Sequence, residues 1–408
     1  RRTVFTVWSI GHYLIKASFM SNQSHGLTPT VKALGWVSLL TDFASKMVYP
    51  LTPIFLTSVL GAPVWAVGII EGIAESAASV LKLYSGWLSD WAGRRKPFAL
   101  AGYSLGAVSK LGLALSGTWV HVLGARLFDR IGKGLRAAPR DVLIVENCTV
   151  AQRGQAFGLH HSLETVGEVL GPLAGFIFLQ HHAGNYRGVF AIAFIPALLG
   201  VLVLFTQVKE HRPQTQKARP QFTLRGLSPF YQQYLLGIAL FSLGNSSDAF
   251  LLLRAQDLGF TGSQILLLYA AFNLVAVGLG LVAGQLSDRV GRRPLLVSGY
   301  LIFALTYLGF ARATDPMAIW ILFVLYGLYS TLTRGVQKAF VADLVHPHRR
   351  GAETGTFHMV VGLAALPASM VAGWLYTTVS VAAPFYISSI TAVIATLLLM
   401  RIRLPLSL

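Results

Sequence analysis

The sequence predicts an all-α integral membrane protein with twelve transmembrane helices in two related six-helix halves. Hydrophobic residues make up 54% of the 408 residues and charged residues only 12%, whereas soluble domains carry about a quarter charged residues. Apolar windows of about 20 residues, the length that crosses a bilayer, repeat along the chain. A basic pattern also occurs twice, 198 positions apart, which indicates that the two halves share one design.

Twelve apolar windows with short loops between them are predicted to form the helices. They cover residues 34–60, 65–89, 98–117, 119–139, 154–180, 188–206, 230–253, 263–287, 294–313, 317–342, 352–376 and 382–402. The apolar patch before them is too short for a span. The chain is therefore divided into an N-terminal segment, a first bundle, a polar linker and a second bundle, at residues 1–33, 34–206, 207–229 and 230–408.

The net charge of +17 is unevenly distributed among the loops. Basic residues collect in alternate loops, for example at Arg94, Arg95 and Lys96, and the intervening loops hold few. This is the positive-inside pattern, so we expect both termini and the linker on the cytoplasmic side of the inner (plasma) membrane, in contact with lipid. No aromatic-rich basic groove accompanies the charge, so nucleic acid is not predicted as a partner.

Motifs typical of enzymes and metal sites do not stand out in the sequence. The single cysteine, Cys148, excludes an internal disulfide and a cysteine-based metal cluster. Neither a nucleophile–base arrangement nor a phosphate-binding glycine loop is found. We therefore predict no enzymatic activity, no cofactor and no metal, and we expect a monomer to be sufficient for function.

The repeated pattern lies between the second and third windows and again between the eighth and ninth. It reads GWLSDWAGRRKPF from Gly86 to Phe98 and GQLSDRVGRRPLL from Gly284 to Leu296. Both copies resemble the loop signature of the major facilitator superfamily. The resemblance implies the major facilitator fold, in which two pseudo-symmetric bundles give alternating access to a central cavity and carry a small molecule across the membrane.

In that family the signature controls opening at the cytoplasmic side, and the resemblance assigns this gating role to ten residues. They are Gly86, Asp90, Gly93, Arg94 and Arg95 in the first copy, and Gly284, Asp288, Gly291, Arg292 and Arg293 in the second. The glycines are expected to permit close approach of the helices, and Asp90 to accept from helix N-terminal amides or pair with an arginine. The alternative is that these loops serve only to set the membrane topology. That would explain the arginines but not the aspartates or the glycines.

Ionisable residues inside the apolar windows are candidate site residues, because a charge at the bilayer centre costs about 2.5–3.5 kcal/mol even on lenient scales. In the first window, Asp42 and Lys46 have the spacing of a pair that neutralises itself. In the second, Glu71, Glu75 and Lys82 share one helical face. Two interpretations stay open: an ion-pair network that fixes helix packing, or a cavity wall that binds protons or substrate.

The fourth window is the most cationic. Arg126, Arg130 and Lys133 lie on one stripe, with Asp129 and Arg136 flanking it. The stretch RIGKGLRAA, which begins at Arg130, resembles the family's helix-four motif Arg-x-x-Gln-Gly-x-Gly-Ala-Ala, whose arginine is tied to proton coupling. The resemblance gives that role to Arg130. Lys133 and Arg136 depart from the motif, since they stand where glutamine and glycine are usual.

The fifth window resembles a pattern found in antiporters of the superfamily. The pattern is carried by Gly158, Gly167, Gly171, Pro172 and Gly175, with phenylalanine in place of its final glycine. Small residues at this spacing let another helix pack closely, and the proline permits a bend. The alternative interpretation is that these residues serve helix packing and have no role in proton coupling.

Two further sets of polar residues complete the candidates. Glu164 and Glu168 lie off the glycine stripe of the fifth window and are expected to face the cavity as proton carriers. The substrate-binding candidates are Lys46, Lys82, Asn245, Asp248, Asn273 and Arg334. Asp248 belongs to a polar turn that interrupts the seventh window.

The predicted function is proton-coupled antiport, in which a small organic compound leaves the cell by alternating access. The proton would load Glu71, Glu75, Glu164 or Glu168, and Arg130 would respond to the changed charge. The cationic stripe favours an anionic or zwitterionic cargo, whereas the carboxylates favour a cationic one. A proton-coupled symporter that imports a small metabolite is the nearest alternative, and a non-transporting membrane sensor of the same fold is another.

Overall fold

The computed structural model describes residues 26–210, 227–345 and 350–401, and these contain helices and no strand. The first half comprises α1 (Pro29–Val48), α2 (Val64–Trp91), α3 (Lys96–Ala114), α4 (Trp119–Glu146), α5 (Arg153–His181) and α6 (Tyr186–Gln207). The second half comprises α7a (Pro229–Gly244), α7b (Ala249–Asp257), α8a (Gly262–Gly278), α8b (Gly280–Val290), α9 (Arg292–Arg312), α10 (Pro316–Leu344), α11 (Arg350–Thr378) and α12 (Ala383–Arg401). Residues 1–25 of the predicted N-terminal segment and 211–226 of the linker lie outside the described ranges.

The helices coincide with the predicted windows, and the all-α membrane fold is confirmed. Within the described ranges, eight helices are long and apolar enough to cross a membrane, or nine if Gly262–Gly278 and Val282–Val290, bent by 47°, form one span. The three others, α1, α3 and α4, carry ionisable residues such as Asp42, Lys110 and Arg126. Charged helices of this kind are expected to line a water-accessible cavity rather than face lipid.

Two helix boundaries differ from the prediction. α1 begins at Pro29, inside the predicted N-terminal segment, because proline suits the first helical position and Thr28 caps the helix by accepting from the amide of Val31. α4 does not end near Pro139 but continues to Glu146. Proline has no backbone N–H to donate, and this loss is tolerated because the following turn is held by packing, with Ile144 fully buried.

Two spans have irregular backbone next to the centre of the molecule. α1 continues past Val48 as short helical segments of different pitch to Val59, a stretch that contains Pro50 and Pro53. Prolines remove backbone donors and interrupt regular helix. The seventh span breaks between α7a and α7b, where the predicted polar turn is found at residues 245–248. Irregular backbone at this depth is favoured where it lines a cavity.

The glycine stripe of α5 packs directly on α1. A Cβ atom added to Gly167 would lie 2.5 Å from the carbonyl oxygen of Leu39, and one added to Gly171 would lie 2.3 Å from that of Phe43. A larger residue at either position would therefore push the two helices apart. Gly158 takes no part in this contact, because a Cβ atom there would meet nothing within 4 Å.

The two halves also meet closely where α2 crosses α11. A Cβ atom added to Gly68 would lie 2.2 Å from the carbonyl oxygen of Ser369, and one added to Gly72 would lie 3.0 Å from that of Leu366. The helix backbones therefore touch with almost no side chain between them. This contact seals the end of the molecule that lies away from the basic loops.

The opposite end, which carries the loops with Arg94 and Arg292, is called the basic end here. At the sealed end, Gln256 of α7b bonds to Thr57 and Ser58 at the end of the first span. Toward the basic end a wide cavity lies between the two halves, with Arg140 and Asp141 of α4 and Thr354 of α11 among its lining residues. The protein is therefore open at its basic end, which is the predicted cytoplasmic end.

Candidate functional site

A central cavity of about 460 Å³ lies between the two halves. Its lining contains seven basic and six acidic side chains, contributed by both halves. Eleven of the predicted site residues meet there: Asp42, Lys46, Glu71, Glu75, Arg126, Arg130, Lys133, Glu168, Asn245, Asp248 and Arg334. So many ionisable groups within a membrane span require pairing, water or a ligand.

A wider cavity of about 890 Å³ continues toward the basic end. It shares Asp42, Lys133 and Glu168 with the central cavity, so the two spaces form one passage. Three more predicted residues, Lys82, Glu164 and the gating residue Gly86, line only this wider part. The passage thus brings together residues that lie far apart in the sequence.

The most buried ion pair joins α2 to α4. Nη2 of Arg126 lies 2.7 Å and 2.9 Å from the two carboxylate oxygens of Glu71, and Nε lies 3.0 Å from one of them. The guanidinium also lies over the ring of Tyr49, at 5.2 Å. Ser247 of the second half donates to Glu71 at 3.4 Å. For this pair the contacts favour the packing-network interpretation.

A second buried pair joins α3 to α4 and was missed in the sequence. Nζ of Lys110 lies 2.5 Å from Oδ1 of Asp129 and donates to Ser45 of α1 at 3.2 Å. A lone lysine in the apolar third window was a signal for it, because an intramembrane charge needs a partner. Asp129, expected only at the edge of the cationic stripe, is the partner.

Lys46 does not pair with Asp42 as their spacing suggested. Its Nζ lies 3.0 Å from Oε1 of Glu168 on α5 and donates to the hydroxyl of Tyr269 on α8a at 3.3 Å. The close packing of α5 on α1 brings Glu168 within reach. Asp42 is left without an ion pair or hydrogen bond to any described residue.

The remaining predicted carboxylates are held by arginines of α4. Nε of Arg130 lies 3.4 Å from Glu75, and Nη1 of Arg140 lies 2.8 Å from Glu164. His160 also approaches Glu164, at 3.1 Å. All four carboxylates predicted to load the proton are therefore paired with basic side chains, and a proton on any of them would have to break an ion pair.

Besides the buried Arg136, five charged side chains of the passage have no oppositely charged partner among the described residues. They are the cations Lys82, Lys133 and Arg334 and the carboxylates Asp42 and Asp248. The three cations are exposed to the passage. These groups, rather than the paired ones, are free to contact a cargo.

A further basic side chain of the passage, Arg136, is buried between α3 and α4. Its guanidinium lies over the ring of Tyr103 at 4.5 Å, and its Nη1 makes no hydrogen bond to a described residue. A buried donor left without a partner is rare in folded proteins. Arg136 lines both cavities and adds positive charge to the same wall as Lys133.

The polar residues of the second half are only partly where they were expected. Asp248 accepts from the hydroxyl of Tyr326 at 2.6 Å, and Asn245 donates to that of Tyr329 at 3.4 Å. Asn273 is a correction, because it is buried, lines neither cavity and donates to the carbonyl oxygen of Tyr269 in its own helix at 2.9 Å. Its amide is already satisfied by α8a itself.

The first copy of the gating pattern forms an ion-pair cluster. Arg95 lies 2.8 Å from Asp90 at the end of α2 and 2.8 Å from Glu146 at the end of α4. The neighbouring Arg94 is exposed. The two arginines are therefore not equivalent, because only Arg95 ties helix ends together within the first half.

The second copy is arranged differently. Asp288 is exposed, and a Cβ atom on Gly284 would meet nothing within 4 Å, so the close approach expected at Gly284 is not found. Arg292 pairs instead with Asp343 of α10, and Arg293 donates to the last carbonyl groups of α12. The repeat in sequence is thus not a repeat in contacts.

The remaining glycines of the pattern serve backbone conformation more than close packing. Gly93 has φ +62° and Gly291 has φ +95°, values that side chains with a Cβ atom rarely adopt. Both follow a helix end, which is a usual place for such a glycine. A Cβ atom on Gly86 would lie 3.3 Å from the Cβ of Ala138 on α4, a close but milder contact.

Replacing Arg95 by glutamine is expected to destabilise the fold by about 1.5–3 kcal/mol, the usual worth of hydrogen bonds to charged groups. The matched change Arg94→Gln removes an equal charge from an exposed position and should stay within about 0.5 kcal/mol. Thermal unfolding of the detergent-solubilised protein measures both. Equal shifts for the two variants would show that the cluster contributes nothing.

Two related helical halves around a charged, water-accessible passage define a membrane transporter. A sequence profile of the Major Facilitator Superfamily matches residues 34–253 and 234–407. The chain belongs to the major facilitator superfamily. The resemblance found in the repeated loop pattern is thereby confirmed.

Two relatives are similar over most of the chain and a third over part of it. An uncharacterized MFS-type transporter of Methanocaldococcus jannaschii is 33% identical over 382 residues, which cover 92% of this chain and 95% of that protein. An uncharacterized protein of Mycobacterium tuberculosis is 27% identical over 386 residues, with 92% and 93% covered. The multidrug resistance protein MdtH of Cronobacter sakazakii is 32% identical over 120 residues, covering 29% and 30%.

Solved structures support the fold. A peptide transporter of the POT type superposes with a TM-score of 0.77 at 13% identity, covering 93% of this chain and 95% of that one. A bacterial homologue of the human lysosomal transporter Spinster, described as inward-facing and occupied, gives 0.73 at 17% identity, with 92% and 97% covered. Identities this low show the fold and not the cargo.

Proposed function

We propose that this transporter exports a small organic compound in exchange for protons across the inner (plasma) membrane, with its basic end toward the cytoplasm. The observation that carries the proposal is Asp42, a carboxylate of the passage without an ion pair or hydrogen bond to any described residue. One chain supplies every described wall of the passage, so the monomer is the proposed transporting unit. The proposed proton site differs from the paired glutamates favoured by the sequence.

Asp42 can accept a proton without the loss of an ion pair. Its acidic neighbours Glu164 and Glu168 are each held by a basic side chain. A proton on Glu168 would instead release Lys46 into the membrane interior as an unpaired charge, which is costly. Asp42 also lines both parts of the passage, so water can deliver the proton.

The helix seam beside Asp42 suits exchange rather than leakage. Gly167 and Gly171 of α5 press on the backbone of α1 at Leu39 and Phe43, on either side of Asp42. A contact without intervening side chains leaves little room for a water path past the carboxylate. Arg130, 3.4 Å from Glu75, remains the proposed group that responds to the charge on this wall.

Exchange requires that the proton and the cargo compete for one state of the protein. A cargo with an ammonium group would bind Asp42 in its charged form, and a proton on Asp42 would release that group. When the passage opens to the outside, a proton loads Asp42 and the cargo is released there. When the passage opens to the cytoplasm, the proton leaves and Asp42 can bind the next cargo. Competition at one carboxylate is thus sufficient for antiport.

Proton-coupled symport is the second candidate, and the unpaired cations Lys133 and Arg334 favour it. An exclusively anionic cargo would bind more tightly once Asp42 is neutral, because like charges would no longer repel. The proton and the cargo would then move in the same direction. The charge that the cargo presents to Asp42 therefore decides the coupling mode.

Replacing Asp42 by asparagine is expected to abolish proton-driven flux and to leave only a weakened substrate exchange that does not depend on pH. Asparagine keeps the shape of the side chain but cannot carry the proton. The measurement uses purified protein in proteoliposomes with a trapped pH dye, to which organic anions, zwitterions and cationic drugs are added in turn. A wild-type substrate should discharge an imposed pH gradient in the antiport direction.

The change Glu168→Gln provides the comparison, because Glu168 is paired with Lys46 and is not the proposed carrier. Coupling should persist in this variant, even at a reduced rate. Unchanged proton-driven flux in Asp42→Asn would remove Asp42 from the mechanism, and loss of coupling only in Glu168→Gln would transfer the role to Glu168. Proton movement in the direction of the cargo would establish symport.

A further inference from the structure

We propose that the cargo is zwitterionic: an anionic group, such as a carboxylate or phosphate, binds Lys133 and Arg334, and an ammonium group binds Asp42. The inference rests on the proposed function and names its substrate class. It follows from which charges of the passage are paired and which are free.

Some basic side chains of the central cavity are held by a carboxylate and others are not. Lys46, Lys110 and Arg126 each contact a carboxylate at 3.0 Å or less. Lys133 and Arg334 line the central cavity with no carboxylate within ion-pair distance in the described residues, and both are exposed to its interior. A free cation inside a membrane span is costly, and a ligand anion removes that cost.

The two free cations belong to different halves. Lys133 is on α4 and Arg334 is on α10, and both are electrostatic neighbours of the carboxylate of Glu168. Glu168 already forms an ion pair with Lys46, with 3.0 Å between Oε1 and Nζ. One anionic group held by Lys133 and Arg334 would therefore join the two halves across the cavity, as expected of a cargo that stabilises the occluded state.

Arg136 adds a third positive charge to this wall. The residue is 8% exposed, and its Nη1 lies against Gly106 of α3, without a hydrogen-bond partner among the described residues. It lines both parts of the passage, as Lys133 does. Its charge, which has no ion pair among the described residues, adds to the attraction of this part of the passage for an anion.

The ammonium site lies close to the anion site. Asp42 is an electrostatic neighbour of Lys133, and yet the two do not form an ion pair. Opposite charges that stay apart in a cavity leave room for a ligand with its own opposed charges. The passage is large enough, since the central part alone measures about 460 Å³ and pockets of roughly 300–1,000 Å³ hold small organic ligands.

Lys133 is also a departure from the motif that its helix resembles. It stands where the helix-four motif of the superfamily has glutamine. Glutamine can donate a hydrogen bond to an anion but cannot neutralise it. The added charge is therefore a feature of specificity in this chain, and restoring glutamine is a mild way to test it.

The test compares three molecules that share one apolar body: phenylalanine as the zwitterion, 3-phenylpropanoate as the anion and 2-phenylethylamine as the cation. Leucine, 4-methylpentanoate and 3-methylbutylamine form a second set. Binding to the purified full chain is measured as thermal stabilisation against concentration. The zwitterion of at least one set should bind at least about tenfold more tightly than its anion and its amine, because it gains a charge-assisted contact at both sites.

The variants Lys133→Gln and Arg334→Gln should each weaken zwitterion binding by about 10- to 100-fold, the worth of one charged hydrogen bond. Neither should lower the melting temperature without ligand, because each removes an unpaired charge. A merely structural role would instead lower it. Arg289→Gln, at an exposed position outside the passage, removes the same charge and should leave the affinity unchanged.

The outcomes separate this inference from the proposed function. Undiminished zwitterion binding in both variants, equal or tighter binding of the amine, or no stabilisation by either zwitterion would overturn the substrate class. Proton exchange driven by an amine alone would also overturn it and leave the antiport proposal standing. Zwitterion binding that depends on Lys133 and Arg334, with transport that moves no proton, would uphold the substrate class and refute the exchange.

Discussion

Replacing Gly68 by leucine is expected to abolish transport, because the passage could no longer close at the end opposite the basic loops. A Cβ atom at Gly68 would lie 2.2 Å from the carbonyl oxygen of Ser369, closer than any real contact, and a helix carbonyl cannot move aside as a side chain can. Alternating access requires this end to open and close in each cycle. The variant should remain folded but be held open at that end.

The measurement follows the accessibility of a cysteine at Ser79, which lines both parts of the passage, in a Cys148→Ser background. A membrane-impermeant thiol reagent should label it from the basic end in the parent protein and from the opposite end after Gly68→Leu. Gly124→Leu is the matched control, because a Cβ atom there meets nothing within 4 Å. Labelling from the basic end in both variants would show that the seal tolerates the side chain.

Adding Gly72→Leu makes the same test more demanding. About 5.5 kcal/mol is needed to invert a conformational equilibrium from 1:99 to 99:1, and overpacking at one site typically costs about 1–3 kcal/mol. Gly72 meets the backbone of Leu366 one helical turn away, at 3.0 Å. If the single variant transports slowly, the double variant should not transport at all.

Replacing Arg126 by glutamine is expected to destabilise the protein by about 3–5 kcal/mol, since it leaves Glu71 as a buried charge without its partner. Both side chains of the pair are nearly inaccessible, with 4% and 6% of their surfaces exposed. Glu71→Gln should have a similar cost for the converse reason. Thermal unfolding in detergent measures each loss.

The double variant Glu71→Gln/Arg126→Gln is the control for this prediction. Two neutral amides can bond to each other, so most of the lost stability should return, as is usual when a buried pair is replaced as a unit. Additive losses in the double-mutant cycle would mean that the two side chains act independently. Such a result would contradict the structural role assigned to this pair.

The helices and the family were predictable because they depend on local and repeated features. Apolar windows of bilayer length directly indicate transmembrane helices. The loop pattern, which occurs twice, indicates that the chain consists of two related halves. Where the prediction differed, local signals competed with packing. Pro139 looked like a helix end but lies within α4, because the buried turn that follows it outweighs the missing donor.

The partners of the charged residues were not predictable, because pairing depends on distances between helices. Spacing along α1 suggested Asp42 for Lys46, yet Glu168 of α5 is the partner, at 3.0 Å. Asn273 looked like a cavity residue but satisfies its amide within its own helix. Lys110 was passed over, although a single lysine in an apolar span is itself a signal.

The sequence by itself determined that this chain is a membrane transporter of two related halves and that ionisable groups lie within its spans. Composition and periodicity carry that information, because the bilayer constrains every helix in the same way. Only the tertiary structure decided which charges neutralise one another and which remain free for a proton or a cargo. The physical reason is that an ion pair requires atoms within about 4 Å, a separation set by glycine contacts between helices and not by position along any one of them.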